Sequence, residues 1–349
     1  MEEKIHKRRV HYSGTHPKRF EEKYKEHNPE KYADTIEKVI SKGSTPAGMH
    51  ISIWVNEILD FLQIQQPGQQ GLDATLGYGG HTRRMLEQLH GEGHMYALDV
   101  DPIEIVKTKH RLSEAGYGED ILTIKQTNFR NIDQVAEEAG GFDFILADLG
   151  VSSMQIDNPD RGFTYKFDGP LDLRLDPEKG ESAAERLREV SYEELVGMFQ
   201  ENSDEPYAEE IATVIMKRNR TKNYVETTTQ MKEVIEEALS FVPENERKEA
   251  VKKSCQRCFQ ALRIDVNSEF EVLYDFLDKL PDALRPGGRV AILTFHSGED
   301  RLVKRAFKVG VKAGVYSEVS KDVIRPSAEE CARNPRARST KMRWAVKAE

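Results

Sequence analysis

The sequence predicts an α/β fold in which a parallel, doubly wound sheet carries an inserted all-helical subdomain. Between residues 53 and 150, apolar runs of strand length alternate with segments of helical periodicity, a pattern typical of βαβ units. A turn with Gly77, Gly79 and Gly80 joins the first such run to a helix, and turns of this kind expose backbone amides at a helix N-terminus. From about residue 160 to 255, helical periodicity continues without an intervening strand.

The first half contains four predicted strands. They cover Gly71–Leu76, His94–Asp101, Leu122–Phe129 and Phe142–Gly150. An amphipathic helix over Ile53–Leu62 precedes them, and the glycine turn leads into a helix from Thr82 onward. Pro102 opens the helix after the second strand, because proline suits the first helical position.

The insertion has four predicted helices, and the α/β pattern then resumes. These helices cover Ala183–Val190, Ser191–Gln200, Tyr207–Asn219 and Thr227–Phe241. Ser191 with Glu194, and Thr227 with Gln230, have the spacing of a capping box. The remaining predictions are a helix over Asn267–Leu284, a strand over Val290–Phe295, a helix over about Glu299–Lys308 and a terminal strand pair within Val315–Ile324 and Lys341–Ala348. The predicted domains are an N-terminal extension (1–48), a first part of the α/β domain (49–159), the insertion (160–255) and a second part (256–349).

Composition limits the classes of protein that fit this chain. Its 349 residues include 38% hydrophobic and 32% charged residues, with a net charge of −9, which is typical of a charged globular protein. No apolar run approaches the ~20 residues that span a bilayer, and the N-terminus lacks the apolar core of a signal peptide. We therefore expect a cytoplasmic protein with no membrane partner, and its three cysteines fit a reducing compartment. Cys255 and Cys258 form a lone C-x-x-C, so no metal site is expected.

Local basic segments allow a nucleic-acid partner despite the acidic net charge. Arg333–Arg343 has five basic residues and no acid, and Lys217–Tyr224 is a second basic run with an aromatic residue. Together they could frame an RNA groove, or each could be a solvated surface. Residues 1–48, with one predicted helix between Asn28 and Gly43, have the same two interpretations: an RNA-contacting arm or a solvated extension.

The glycine turn favours S-adenosylmethionine over a dinucleotide. A dinucleotide fingerprint is G-x-G-x-x-G; Gly77 and Gly79 match it, but Thr82 occupies the third glycine position. S-adenosylmethionine has no pyrophosphate that must approach the whole turn closely, and a turn without a ligand is the alternative. Asp99, which ends the second strand, is placed to accept both ribose hydroxyls. Asp101 is interpreted as an acid at a helix start.

Three further side chains are predicted at the carboxyl edge of the sheet. Phe129 either covers an adenine or packs in the core. Asp148 either accepts the hydrogens of an exocyclic amine, which localises the nucleophilic lone pair, or holds the cofactor. His296 takes the proton after transfer or caps the following helix. The loop after Asp148 has no aromatic residue, so a ring that stacks on the base must come from elsewhere, with Phe163 or Tyr165 as candidates.

Seven ordered motifs resemble the RsmH/MraW family of S-adenosylmethionine-dependent 16S rRNA (cytosine-N4)-methyltransferases, over about residues 49–347. The motifs are DATLGYGGHT, ALDVDP, DLGVSSMQID, RGFTYKFDGPLDLRLD, RCFQALRIDVNSE, LRPGGRVAILTFHSGEDRLVK and NPRARSTKMR. The resemblance implies a class I, Rossmann-like methyltransferase fold, an insertion that helps to bind the substrate, and a target cytosine at the decoding site of the small ribosomal subunit. By motif, it assigns the cofactor contacts to Gly79, Gly80, His81, Asp99, Phe129, Asp148 and Gln155.

The chain departs from the family's motifs at several positions, which leaves alternative functions open. Gly298 stands where the family often has leucine, Gln256 and Cys258 replace the threonines of T-R-T-F-Q-A, and residues 50–55 differ from its entry motif. The alternatives are a methyltransferase acting on another RNA or on DNA, and a cofactor-binding RNA or ribosome-assembly factor with little catalysis. An NAD dehydrogenase is the function least compatible with Thr82 at the third glycine position. The sequence does not decide whether the protein forms a homodimer.

Overall fold

A seven-stranded sheet forms the centre of the α/β domain. The computed structural model describes residues 52–349, apart from the side chains at positions 153, 333, 335 and 336; the predicted extension 1–48 and its helix lie outside the described residues. The strands are β1 Gln70–Asp73, β2 His94–Asp99, β3 Leu122–Gln126, β4 Phe142–Asp148, β5 Leu284–Thr294, β6 Tyr316–Val319 and β7 Lys341–Lys347. Their order is β3-β2-β1-β4-β5-β7-β6. Strands β1 to β5 are parallel, and β7 is antiparallel to β5 and β6, which confirms the predicted parallel sheet and terminal strand pair.

Both faces of the sheet are covered by helices. The helices of the α/β domain are α1 Val55–Leu62, α2 Gly80–Leu89, α3 Pro102–Glu114, α4 Ile132–Ala139, α5 Ser153–Asp157, α11 Glu269–Ala283, α12 Ser297–Lys312 and α13 Ala328–Arg333. Successive residues of β4 point to opposite faces: Phe144 and Leu146 pack in one core with residues of α1, α2 and α3. Ile145 and Ala147 pack in the other core with residues of α4, α11 and α12. This two-sided burial explains why the strand has a continuous apolar run.

The insertion folds around a hydrophobic core of its own. Its helices are α6 Ala183–Glu189, α7 Tyr192–Ser203, α8 Ala208–Arg220, α9 Thr228–Ala238 and α10 Glu244–Asn267. Both predicted capping boxes are present, at Ser191 and at Thr227. The predicted domain boundary after Cys255 falls within the 24-residue helix α10, and the core of the insertion extends to Leu262. Cys255 is a free, buried thiol whose pKa burial raises to about 12, so it stays protonated and packs as a small apolar group.

Several element ends differ from the sequence prediction, among them the end of β3 and the start of β5. Strand β3 ends at Gln126 because the Asn128 side chain accepts a hydrogen bond from the Arg130 amide and starts a 3₁₀ turn, so Phe129 lies in that turn and not in the strand. Strand β5 begins at Leu284, earlier than the predicted Val290, and includes Pro286, Gly287 and Gly288; its pairing with β4 shifts register in this part of the strand. Within residues 52–349, no helix has both the length and the apolar content needed to cross a bilayer.

Candidate functional site

The glycine turn lies between β1 and α2, at the carboxyl edge of the sheet. Gly77 and Gly79 have φ values of 48° and 82°, a region that side chains with a Cβ rarely adopt. A Cβ at Gly79 would lie 2.7 Å from the Thr108 Cγ2 atom, and one at Gly80 would collide with the Ser52 hydroxyl. The positive φ values therefore favour glycine at Gly77 and Gly79. The first amides of α2 have no acceptor within the helix, which suits a polar ligand.

Asp99 is held beside this turn at the end of β2. Its Oδ2 atom accepts a hydrogen bond from the Gly77 amide (2.8 Å), and its Oδ1 atom accepts one from the Asp101 amide (2.9 Å). A carboxylate offers about four acceptor positions, so both oxygens keep capacity for ribose hydroxyls. Burial raises the pKa of Asp99 to about 6, although both amide hydrogen bonds act to lower it. The predicted position of Asp99 at the turn is thus seen in the structure.

Asp101 is a buried structural acid, as interpreted from the sequence. Its Oδ1 atom caps α3 by accepting hydrogen bonds from the amides of Ile103 (2.9 Å) and Glu104 (3.2 Å). Its Oδ2 atom accepts from Arg161 Nη1 and from Gln155 Nε2, both at 2.7 Å. The Asp101 side chain is therefore fully occupied and joins the end of β2 to two later segments of the chain.

The side-chain amide of Gln155 makes hydrogen bonds through both its nitrogen and its oxygen. Besides donating to Asp101, it accepts a hydrogen bond from the Ser152 amide through Oε1 (2.8 Å), as part of the capping box that starts α5. In the structure, Gln155 thus holds the loop after β4 against the end of β2. Its contact with the cofactor stays a prediction. Arg161, whose Nη2 atom donates to the carbonyls of Arg174 and Leu175, was not assigned a role from the sequence.

Replacing Arg161 with methionine is expected to lower the free energy of unfolding by about 3–5 kcal/mol, because it leaves a buried carboxylate without its countercharge. The side chains of Arg161 and Asp101 are only 7% and 0% exposed. Arg83→Met is the matched control, since Arg83 pairs with Glu87 on the surface and such pairs contribute about 1 kcal/mol or less. Urea denaturation measures both. Equal losses of unfolding free energy in the two variants would contradict the assignment of Arg161 as the buried countercharge of Asp101.

Asp148 ends β4 at the same edge of the sheet. Its amide donates to Thr75 Oγ1 (2.7 Å), which fixes the end of the strand. Its side chain is 16% exposed, and burial raises its pKa to about 6. The Oδ1 atom is buried and has no hydrogen-bond partner within the described part of the chain. Because an unpaired buried acceptor is costly, this oxygen is suited to accept a hydrogen bond from a ligand.

His81 adjoins Asp148 from the first turn of α2. Its Nδ1 atom lies 3.6 Å from Asp148 Oδ2, and its Nε2 atom lies 2.8 Å from the carbonyl oxygen of Ile53. The histidine is 7% exposed. The structure thus brings together the glycine turn, His81, Asp99 and Asp148, and the free acceptors and glycine positions among them fit the predicted cofactor, S-adenosylmethionine.

His296 lies at the N-cap of α12 in a cluster of charged side chains. Its Nε2 atom is 3.2 Å from Glu299 Oε1, and Glu299 Oε2 accepts a hydrogen bond from the Phe295 amide (2.8 Å). Ligand atoms of His296, Glu299 and Glu269 lie within 4.8 Å of one another, but both carboxylate oxygens of Glu269 already accept hydrogen bonds from Arg263 (2.7 and 2.8 Å). The guanidinium group of Arg263 thus compensates the negative charge of Glu269. His296 stands at the N-cap position, but both of its ring nitrogens are buried without a hydrogen-bond partner among the described residues, so its role as a base stays a prediction.

The predicted aromatic residues make packing contacts. Phe129 is half-buried and makes an edge contact with Phe276, with ring centroids 5.2 Å apart. Tyr165 makes an edge contact with Phe259 at 5.5 Å, and Phe163 packs on the core of the insertion. All three rings keep some exposure. Their contacts with adenine or with a target base stay predictions.

The predicted basic segments contribute fewer free cations than their sequences suggest. In the C-terminal segment, Arg343 is buried and donates to Asp300 (2.7 Å), and Lys341 lies 3.6 Å from the same carboxylate. The segment that contains them was interpreted either as a phosphate contact or as a solvated surface. Neither interpretation holds for Arg343, which is buried and whose hydrogen bonds neutralise a local acid. Arg338 is exposed.

In the basic run of the insertion, some of the cations also pair with acids, and others stay exposed. Lys217 and Arg218 pair with Glu237. Arg220 and Lys222 are exposed, and neither has an ion-pair partner within residues 52–349. Any RNA contact from this segment therefore depends mainly on these two side chains.

The chain is similar to known methyltransferases over nearly its whole length. The family described as the MraW methylase family matches residues 47–348. A protein named "Ribosomal RNA small subunit methyltransferase H 1" from Agathobacter rectalis is 72% identical over 100% of this chain and 99% of its own length. One named "Ribosomal RNA small subunit methyltransferase H" from Carboxydothermus hydrogenoformans is 37% identical over 85% and 97%. A solved rRNA methylase from Streptococcus thermophilus is 14% identical, with a TM-score of 0.41, over 86% of this chain and 100% of its own. The chain belongs to the MraW methylase family and is an S-adenosylmethionine-dependent methyltransferase.

Proposed function

We propose that this protein transfers a methyl group from S-adenosylmethionine to the exocyclic N4 amine of a cytosine in 16S rRNA, at the decoding site of the small ribosomal subunit. The observation that carries the proposal is the unpartnered Asp148 Oδ1 atom, on the sheet edge that also presents Asp99 and the glycine turn. The names of the relatives, which specify ribosomal RNA of the small subunit, support the class of substrate. The motif resemblance supports the assignment of cytosine as the target base.

Each part of the site has a separate task in this reaction. S-adenosylmethionine supplies an electrophilic methyl group on a sulfonium that is a good leaving group. Asp99 accepts hydrogen bonds from the ribose, and the remainder of the cofactor is proposed to bind along the adjacent glycine turn, whose Gly77 amide donates to Asp99. Asp148 Oδ1 accepts an N–H of the target amine, which reduces conjugation of the nitrogen lone pair with the ring and orients it for in-line attack.

The target base must leave its stack to reach this edge. The half-buried rings of Phe163 and Tyr165, on the segment that enters the insertion, are the proposed stacking partners. Aromatic stacking contributes about 1–3 kcal/mol per base.

The test is incubation of the purified protein and labelled S-adenosylmethionine with small ribosomal subunits, naked 16S rRNA and DNA. We expect label in the ribosomal RNA, and none in DNA. If no substrate takes up label while the cofactor still binds by calorimetry, the protein is a cofactor-binding assembly factor and the enzymatic proposal fails. Label in DNA alone would favour the DNA alternative.

Replacing Arg220 and Lys222 together with alanine is expected to weaken RNA binding and to reduce the slope of log K against log salt by about 1–2, since each phosphate contact contributes about 0.9 to that slope. The matched control is Lys252→Ala with Lys253→Ala, which makes the same change in charge at two lysines that pair with Glu249. Fluorescence anisotropy across a salt series measures the slope. An equal slope in both double variants would show that Arg220 and Lys222 are plain surface.

A further inference from the structure

We propose that His81 is a positioning residue for proton removal, so that Asp148 and His81 together form the acceptor for the proton that the amine loses on methylation. The proposal rests on the proposed function, because it concerns the same amine. It assigns to His81 a role that differs from the predicted cofactor contact. It also moves proton removal away from His296, which is engaged with Glu299 (3.2 Å).

The tautomer of His81 follows from its contact with the backbone. A carbonyl oxygen only accepts hydrogen bonds, so the Nε2 atom that lies 2.8 Å from the Ile53 oxygen must carry the hydrogen. A neutral imidazole with hydrogen on Nε2 has a lone pair on Nδ1. That lone pair lies 3.6 Å from Asp148 Oδ2.

When His81 is neutral, two acceptors therefore lie next to each other with no hydrogen between them. Their separation of 3.6 Å exceeds the length of a normal hydrogen bond, which is about 2.7–3.2 Å. A single proton on either group would turn this contact into a charge-assisted hydrogen bond. The arrangement of His81 and Asp148 is thus suited to receive one proton.

The surrounding charges set the pH at which the pair can accept that proton. Burial is the largest cause of the rise in the pKa of Asp148 to about 6; His81 lowers this pKa when it carries a positive charge, and the charges of Asp73 on β1 and Glu299 on α12 raise it. Asp73 accepts hydrogen bonds from the Thr82 hydroxyl (2.6 Å) and the Thr75 amide (3.1 Å). At about pH 7–8 the Asp148 carboxylate is ionised, yet its affinity for a proton is well above that of an ordinary aspartate.

The step balances in atoms and charge. As the amine nitrogen forms its bond to the methyl carbon, the bond between that carbon and the sulfonium sulfur breaks, and its electron pair remains on sulfur. The nitrogen becomes cationic and passes one proton to Asp148 Oδ1. Rotation of the carboxyl group then brings this protonated oxygen to the side that faces His81 Nδ1, where the two groups share the proton. The products are a neutral thioether, a neutral methylated amine and a singly protonated pair, which later loses its proton to water.

The first test is a single-turnover measurement of methyl transfer by the cofactor-loaded enzyme, from about pH 5 to about pH 8.5. In His81→Gln, we expect the rate constant to fall by about tenfold or more and the inflection near the Asp148 pKa to shift or disappear, while the cofactor Kd changes by less than about threefold. The control is His110→Gln, at an exposed histidine of α3. An unchanged rate and pH profile, or a loss explained by Kd alone, would overturn the proposal.

A second measurement needs neither RNA nor turnover. ¹⁵N NMR of histidine-labelled full-length protein at about pH 8 should show His81 with hydrogen on Nε2 and none on Nδ1. A resting tautomer with hydrogen on Nδ1 would overturn the proposal. If the NMR result agrees but wild-type protein methylates no cytosine, the proposed function fails, and only the tautomer assignment of His81 stands.

Discussion

Asp148→Asn is expected to lower the rate constant of methyl transfer by about 10²–10⁴-fold, the range in which a general base contributes to catalysis. The substitution keeps the size of the side chain, but an amide cannot take the proton and offers one acceptor oxygen in place of two. Single-turnover kinetics with saturating cofactor measure the effect, so that a change in cofactor affinity does not contribute.

Loss of folding would not explain this decrease. The pKa of Asp148 is raised from 3.8 to about 6 in the folded protein, so above about pH 6 the ionised carboxylate destabilises the fold, and below its unfolded pKa this cost is absent. A neutral asparagine is therefore expected to leave the melting temperature at about pH 8 unchanged or higher. The control is Asp143→Asn at the opposite end of β4, where the acid pairs with Arg285 (2.7 Å); its rate constant should stay at the wild-type value. A wild-type rate constant in Asp148→Asn would contradict the assignment of Asp148 as the proton acceptor.

Asp99→Ala is expected to abolish measurable cofactor binding. The ribose would lose two hydrogen bonds to a charged acceptor, each worth about 1.5–3 kcal/mol, which corresponds to an increase in Kd of about 10²–10⁴-fold. The Gly77 amide would also lose its acceptor, so the turn itself would be less ordered. Isothermal titration calorimetry measures the affinity. Asp120→Ala, at an exposed acid before β3, is the control and should bind normally.

The same acid predicts a pH dependence of cofactor affinity. Because the pKa of Asp99 is raised to about 6 in the free protein, the acid becomes neutral below that pH and loses acceptor capacity. Affinity should therefore decline as the pH falls through about 6, and this decline should be absent from any residual binding by Asp99→Ala. A flat profile in wild-type protein, or unchanged affinity in Asp99→Ala, would contradict the ribose assignment.

The sequence predicts those parts of the site that depend on local patterns. The turn around Gly79, the acid that ends β2 and the acid that ends β4 each follow an apolar run directly, and parallel topology then places their ends on one edge. The capping boxes at Ser191 and Thr227 are local signals as well, because all their hydrogen bonds lie within four residues.

The contacts that were missed join residues far apart in the chain. Arg161 and Asp101 are 60 residues apart, and no local pattern distinguishes a buried arginine from a surface one. In the sequence, Arg343 lies in a basic segment of the kind that contacts phosphate. In the fold, β7 pairs with β5, and this pairing places the Arg343 side chain beside Asp300. The early end of β3 is different, since Asn128 carries a recognisable capping signal for the turn that contains Phe129.

The most direct test of the central claim is mass spectrometry of the nucleosides from 16S rRNA after reaction with the wild-type protein and S-adenosylmethionine. The site described around Asp148 predicts N4-methylcytidine, at one position in the decoding region, which is absent when Asp148→Asn replaces the wild-type protein. Methylation confined to another atom or another base, or an equal yield from Asp148→Asn, would contradict it.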